Sequence, residues 1–247
     1  MPSLTILCTL AVVAVVVSQA MDQSHVSLVA LNLRKDGFDN YRCDRPVSLG
    51  LNMLTLGKVL KCAGNDDVIT LNAPDAGDTI SFVFETEKAD KVSDFELKLM
   101  QIDQDHLGIP DTEYSCNVTM PSGEFQKICR DLSVLGDTCK IACTKEGIKF
   151  SVDGDLGTGN ITHRATTDSD KKEEEHTVIQ MDDPVALNFA LNYLCQFTRA
   201  TALSKTVHLR MSESVPLVVE YPMGDLGNVR FYLAPKIDGE GDGEDEG

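Results

Sequence analysis

Residues 46–63, PVSLGLNMLTLGKVLKCA, align without a gap against residues 184–201, PVALNFALNYLCQFTRAT, and this pairing decides the fold. Pro46 meets Pro184, Val47 meets Val185, Leu49 meets Leu187, Leu51 meets Phe189, Met53 meets Leu191 and Leu56 meets Leu194. Each copy opens with an apolar residue at every second position (Val47, Leu49, Leu51), the pattern of a strand with one buried face. From Met53 the spacing changes to Met53, Leu56, Leu60 and Ala63, one stripe of a helix. Past that point Ile69 and Leu71 face Val207 and Leu209, and Ile80 faces Val218. Two alternating strands are expected after each helix. They are VITLNA (68–73) and DTISFVFE (78–85) in the first copy, HLRM (208–211) and PLVVEY (216–221) in the second. Each copy closes on another strand, residues 95–99 and 229–233. Duplication on this scale signals two like domains more strongly than any short motif.

Between the copies lies LMQIDQDHLGIPDTEY (99–114). Gly108 stands beside the Ile109-Pro110 step, which disfavours helix for Ile109, so the segment reads as an extended connector. Its Leu107, Ile109 and Pro110 gain little in a solvated loop and are expected to dock on a domain or receive a partner. A second extended apolar stretch, YLAPKI (232–237), precedes an acidic low-complexity tail, DGEGDGEDEG (238–247), that reads as disordered.

The second copy has an additional front end. Residues 114–120 read as a strand, and Pro121 suits the start of a helix. Phe125, Ile128, Cys129, Leu132 and Leu135 then mark one apolar face, which Gly136 stops. Strands at 140–142 and 148–151 flank a turn at 145–147. In the first copy only Val15-Val16-Val17-Ser18 has a match, against Ile148-Lys149-Phe150-Ser151. The strand–helix–strand unit before it is missing. The expected organisation is an apolar segment 1–14, an incomplete domain 15–98, a connector 99–113, a complete domain 114–237 and the tail.

The first twenty residues, MPSLTILCTLAVVAVVVSQA, pull the other way. A long apolar run ending Val17-Ser18-Gln19-Ala20 has the pattern of a secretory leader, without its basic start. Two N-x-T sequons, at Asn117 and Asn160, would suit secretion. Against this, Val15–Ser18 belong to the repeat, so cleavage after Ala20 would cut a strand from domain one. The apolar start therefore reads as a replaced or mis-spliced first exon. The eight cysteines show no CxxC pair or zinc spacing, and read as reduced thiols.

A net charge of −17 over 247 residues argues, taken alone, against nucleic acid. A segregated basic strip can nonetheless survive within an acidic whole. Lys58 and Lys61 stand three apart, opposite the Met53/Leu56/Leu60 stripe. Lys127 and Arg130 repeat that spacing opposite Phe125/Ile128/Leu132, and Arg199 ends the helix of copy two. Solvated helix faces explain such pairs as readily as a sequence-neutral phosphate surface. No P-loop, GxSxG or HExxH is present. Asp103 and Asp105 lie in the connector, and Asp153-Gly154-Asp155 lacks most ligands of a calcium loop. No enzymatic activity, cofactor, metal or small-molecule substrate is expected.

Several long stretches carry a resemblance. MDQSHVSLVALNLRKDGFDNYRCDRP (21–46), MLTLGKVLKCAGNDDVITL (53–71), EYSCNVTMPSGEFQKICRDLSVLGDT (113–138) and PLVVEY with YLAPKI are similar to the proliferating cell nuclear antigen family, the eukaryotic DNA sliding clamps. The resemblance implies an α+β fold of two topologically similar domains, with sheets outside and helices lining a ring. It further implies a nuclear, non-enzymatic homotrimer that encircles double-stranded DNA without reading its sequence. Such a clamp tethers DNA polymerase and other replication and repair proteins carrying a clamp-interacting peptide, and a clamp loader places it on DNA.

By the same resemblance Lys58, Lys61, Lys127, Arg130 and Arg199 match DNA-facing helix positions, within a DNA-binding stretch 42–61 for the first two. Met21, His25 and Leu28, with Leu107, Ile109 and Pro110, match one part of the pocket for the partners' peptide. Pro216, Tyr232, Ala234 and Pro235 match the rest. Lys145 matches the lysine that carries ubiquitin or SUMO. Subunit contacts would fall on residues 58–62, 95–99, 124–135 and 157–162. The chain departs from the family at Asn192, where a basic residue is common, and at Pro222-Met223, where Lys-Ile is usual. The alternatives are an inactive truncated clamp, or a secreted or membrane-tethered binding protein on the clamp fold, glycosylated at Asn117 and Asn160.

Overall fold

The computed structural model describes residues 5–10, 15–22, 24–44, 47–74, 77–88, 90–101, 112–166 and 173–236. The connector residues Leu107, Ile109 and Pro110 and the acidic tail therefore lie outside the described residues. The chain divides into two units, 1–109 with 225–227, and 110–224 with 228–247.

The second unit is the fuller one. Strand β8 (Cys116–Pro121) leads directly into helix α2 (Ser122–Leu132), with Pro121 capping it where a missing N–H costs nothing. One antiparallel sheet runs β11-β10-β9-β13, from β9 (Thr138–Thr144), β10 (Gly147–Gly154), β11 (Gly157–His163) and β13 (Val185–Ala190). The other runs β12-β8-β14-β15-β16, adding β12 (Val178–Met181), β14 (Thr206–Met211), β15 (Leu217–Pro222) and β16 (Gly227–Leu233). Helix α3 (Leu191–Phe197) follows β13, at the strand-to-helix switch expected from the change of period. The apolar face of α2 is buried as its spacing requires: Phe125, Ile128, Cys129 and Leu132 are all inside. Leu135 lies past the helix end, where its N–H donates to the Leu132 carbonyl. Gly154 has to be glycine: a Cβ there would stand 2.1 Å from the Leu135 carbonyl oxygen.

In the first unit, β3 (Ser27–Arg34), β2 (Val15–Met21), β1 (Thr5–Leu10) and β4 (Val47–Asn52) lie in that order. Helix α1 (Met53–Leu60) and a three-stranded sheet follow, β5 (Val68–Asn72), β6 (Thr79–Glu85) and β7 (Val92–Lys98). The duplication is visible in detail. Met100 bridges Gly50 past the end of β7 just as Lys236 bridges Asn188 past β16.

The apolar start has a place in this unit. Thr5–Leu10 pairs antiparallel with β2 on one side and with β4 on the other, as β9 lies between β10 and β13. The gap expected from sequence is accordingly narrower. The strand and helix that match β8 and α2 have no counterpart among the described residues of this unit, while the position of the third element is filled. The core of the first unit gathers Leu49, Leu51, Val59, Ile80, Phe82 and Phe84. Among the residues whose burial is described it is smaller than that of the second unit, where α2 adds a buried face. The strands at 68–72 and 79–85 match expectation, and helix α1 stops at Leu60, one turn short of the stripe's Ala63.

The seven cysteines with described side chains are free thiols. Burial pushes Cys139 up to about 12 and raises Cys129 well above the ordinary thiol range. These two are core packing rather than reactive thiolates.

Candidate nucleic-acid interface and partner surface

Each candidate cation is placed by a local device. In α1 the Asn52 side chain accepts from the Thr55 N–H at 3.0 Å, an N-cap that starts the helix at Met53. Val59 turns inward from this helix, leaving Lys58 and Lys61 exposed. In the second unit α2 is fastened at its start, where the Ser122 N–H donates to the Lys205 carbonyl at 2.9 Å. The Ser122 hydroxyl donates to the Ser204 carbonyl at 2.5 Å. Midway, Gln126 Nε2 donates to the Thr198 carbonyl at 3.0 Å. That bond ties α2 to the 3₁₀ turn Thr198–Leu203, in which Thr198 and Ala200 are buried and Arg199 is exposed between them. Lys127, Arg130 and Arg199 are thus exposed cations on two elements held together. Arg130 also meets Asp131 at 3.1 Å, both well exposed, a pairing worth little in water and easily exchanged for a phosphate. Asn192, in place of a further cation, is exposed on α3.

The partner-surface residues fall in two groups, one per unit. In the first, Met21 and Leu28 are opposite one another across β2 and β3, and His25 Nδ1 lies 2.9 Å from Met21 Sδ. His25 holds φ 57°, a left-handed turn that Asp22 braces by accepting from the Val26 and Ser27 N–H groups at 2.9 and 2.8 Å. In the second, Tyr232 is buried in β16, opposite Val218 of β15. Pro216 is exposed just before β15, and Ala234 and Pro235 are half-buried just after β16. All four belong to one end of the β15–β16 hairpin. Lys145 is exposed in the two-residue turn between β9 and β10.

One cluster escaped the sequence reading. Glu220 in β15 is buried and receives Arg210 of β14 at 2.8 Å and Arg230 of β16 at 2.9 Å. Burial works against the Arg230 charge, but Glu220 and a bond to Tyr232 outweigh it and leave the guanidinium raised. Burial, with Tyr232 second, likewise raises Tyr114. The triad therefore links β14, β15 and β16, and Arg230 carries it to Tyr232 two residues along β16. Its signal in sequence was a single carboxylate inside the apolar run LVVEY, which needs buried partners.

Fold and site together define a duplicated two-domain protein of antiparallel sheets, with exposed cations on the helices of both halves. The family models for proliferating cell nuclear antigen match in order, the N-terminal domain over residues 12–107 and the C-terminal domain over residues 108–236. The chain belongs to the proliferating cell nuclear antigen family, with the α+β clamp fold.

Proposed function

We propose that this chain works as a sliding clamp, a homotrimer that encircles duplex DNA and tethers polymerases and other proteins through a short peptide. The observation that carries the reading is the presence of both family domains, in order, over residues 12–236. The exposed Lys58, Lys61, Lys127, Arg130 and Arg199 support it, since phosphate contacts need cations and no base-reading motif accompanies them. Two strands with outer edges free among the described residues, β7 and β11, supply antiparallel partners for a head-to-tail contact that closes into a ring. The ion cluster joined to Tyr232 supports a fixed strand end for an incoming peptide, and the exposed Lys145 is open to modification. No catalytic role is assigned.

The nucleus is the proposed compartment. A cut after Ala20 would remove β1 and nearly all of β2, leaving β3 and β4 without the strands between them. Secretion keeps one observation in its favour, the exposed Asn160 of its sequon on edge strand β11. Among the described residues no helix is long and apolar enough to cross a membrane. Glycosidase-sensitive protein in the medium would establish the secreted reading.

Encirclement is tested by letting the chain thread onto linear duplex, blocking both ends with streptavidin and washing with high salt. A ring stays until a restriction enzyme cuts the duplex. A chain held by charge alone washes off the blocked DNA and overturns the proposal.

A further inference from the structure

We propose that the open edge and apolar face of β5 form a docking site for a strand-then-helix segment of another polypeptide. The surface touches the stretches of the clamp reading at Leu60 alone, and the inference does not rest on that reading. Ile69 and Leu71 are opposite Phe84 and Phe82, both core residues, so they lie on the inward face of their sheet. They are nevertheless 41% and 53% exposed. Their counterparts in the duplication, Val207 and Leu209, are 0% exposed. The helix shows the same contrast: Leu60 is 43% exposed, whereas its counterpart Thr198 is 4% exposed.

The second unit shows what covers such a surface. There β8 runs antiparallel to β14, from Thr206 opposite Pro121 to Met211 opposite Cys116. Helix α2 then turns back over β14 and over the Thr198–Leu203 turn. The equivalent edge of β5 carries no strand among the described residues, and β5 pairs with β6 alone. The duplication therefore specifies the occupant's chemistry. It has an extended run of about five residues to complete the ladder, as an added edge strand does. An amphipathic helix follows at once, with an i, i+3, i+4, i+7 apolar stripe for Ile69, Leu71 and Leu60.

Charge favours the same orientation. Where the start of α2 is held by the carbonyls of Ser204 and Lys205, the first unit has Asp66 and Asp67. Asp67 turns back to accept from the Gly64 N–H at 2.8 Å, and Asp66 is exposed. A carboxylate there attracts the partial positive charge at the first turn of a docked helix.

The test uses the full 247-residue chain and a synthetic peptide with the sequence of residues 114–133, the chain's own strand–helix segment. Binding is read by fluorescence anisotropy and mapped by amide hydrogen exchange. The expected result is exchange across 68–72 slowed about tenfold or more in the presence of peptide. Leu71→Asp, a change at an exposed position that leaves the fold intact, should weaken binding by about tenfold or more. A peptide with the same composition in scrambled order should not bind. Absence of binding overturns the proposal, as does protection mapping to 206–211 or binding indifferent to Leu71→Asp. A change in the chain's own mass caused by Leu71→Asp without peptide would mean that the face is used between copies, and overturns it too.

Discussion

β5 and β14 hold the same place in the two halves of the duplication, carry similar alternating residues, and have opposite surroundings. Along β14, Val207, Leu209 and Met211 are sealed, because β8 pairs with its edge and α2 lies across its face. Along β5 every residue is exposed, although Phe82 and Phe84 on the next strand are core. Local sequence is thus a poor guide to burial, which depends on whether a neighbour is supplied. The same strand pattern is the middle of a sheet in one unit and an open apolar edge in the other, the kind of edge that natural sheets ordinarily cover.

Substitutions at paired positions sharpen this contrast. Leu209→Ala leaves a cavity among residues that cannot collapse, and should cost about 3 kcal/mol in urea unfolding. Leu71→Ala at the matching position should cost less than about 1 kcal/mol, because water already reaches that side chain. Equal costs would mean that β5 is covered after all.

The fastening of α2 comes next. Ser122→Ala removes a hydroxyl bond to the Ser204 carbonyl and should destabilise the second unit by about 1 kcal/mol. Its effect should appear as faster amide exchange in α2 and β14, with β5 unchanged.

The charged faces should separate binding from folding. Replacing Lys127 and Arg130 with Gln should lower the slope of log affinity for DNA against log salt by about 2 for each subunit in contact with the duplex, and replacing Lys58 and Lys61 should do the same. Unfolding midpoints should barely move, since all four side chains are exposed. An unchanged salt slope would return these residues to ordinary solvated helix faces.

The smallest effect is a dependence on pH. His208 sits in β14, and burial lowers its proton affinity, with Glu220 opposing and Arg210 assisting. The folded state therefore binds its proton less well than the unfolded one. Its contribution to stability is present above a pH of about 6.5 and is lost as pH falls below that value. Thermal scans from pH 7.5 to 5 should show a decline that His208→Gln makes shallower. Thr70, the matching residue of β5, contributes no such dependence.

Much of this was legible in sequence, for identifiable reasons. The duplication, the strand-to-helix switch at Met53 and Leu191, and the buried face of α2 follow from apolar spacing, which packing has to obey. Two parts did not show. The run Leu4–Val17 is apolar apart from Thr5 and Thr9 and has no clear period, so a leader and a strand look alike in it; the pairing of Thr5–Leu10 with β2 and β4 shows only in the structure. The Arg210–Glu220–Arg230 cluster joins three strands, and no spacing in the chain announces a register. Candidate site residues were recognisable from family resemblance and helix faces, whereas the connector residues Leu107, Ile109 and Pro110 lie outside the described residues.

The most direct measurement is the light-scattering mass of the full 247-residue chain at several concentrations. Three copies of the 26.9 kDa chain are expected, with edges β7 and β11 in the contact. A mass of one copy throughout the range would contradict the proposed trimer.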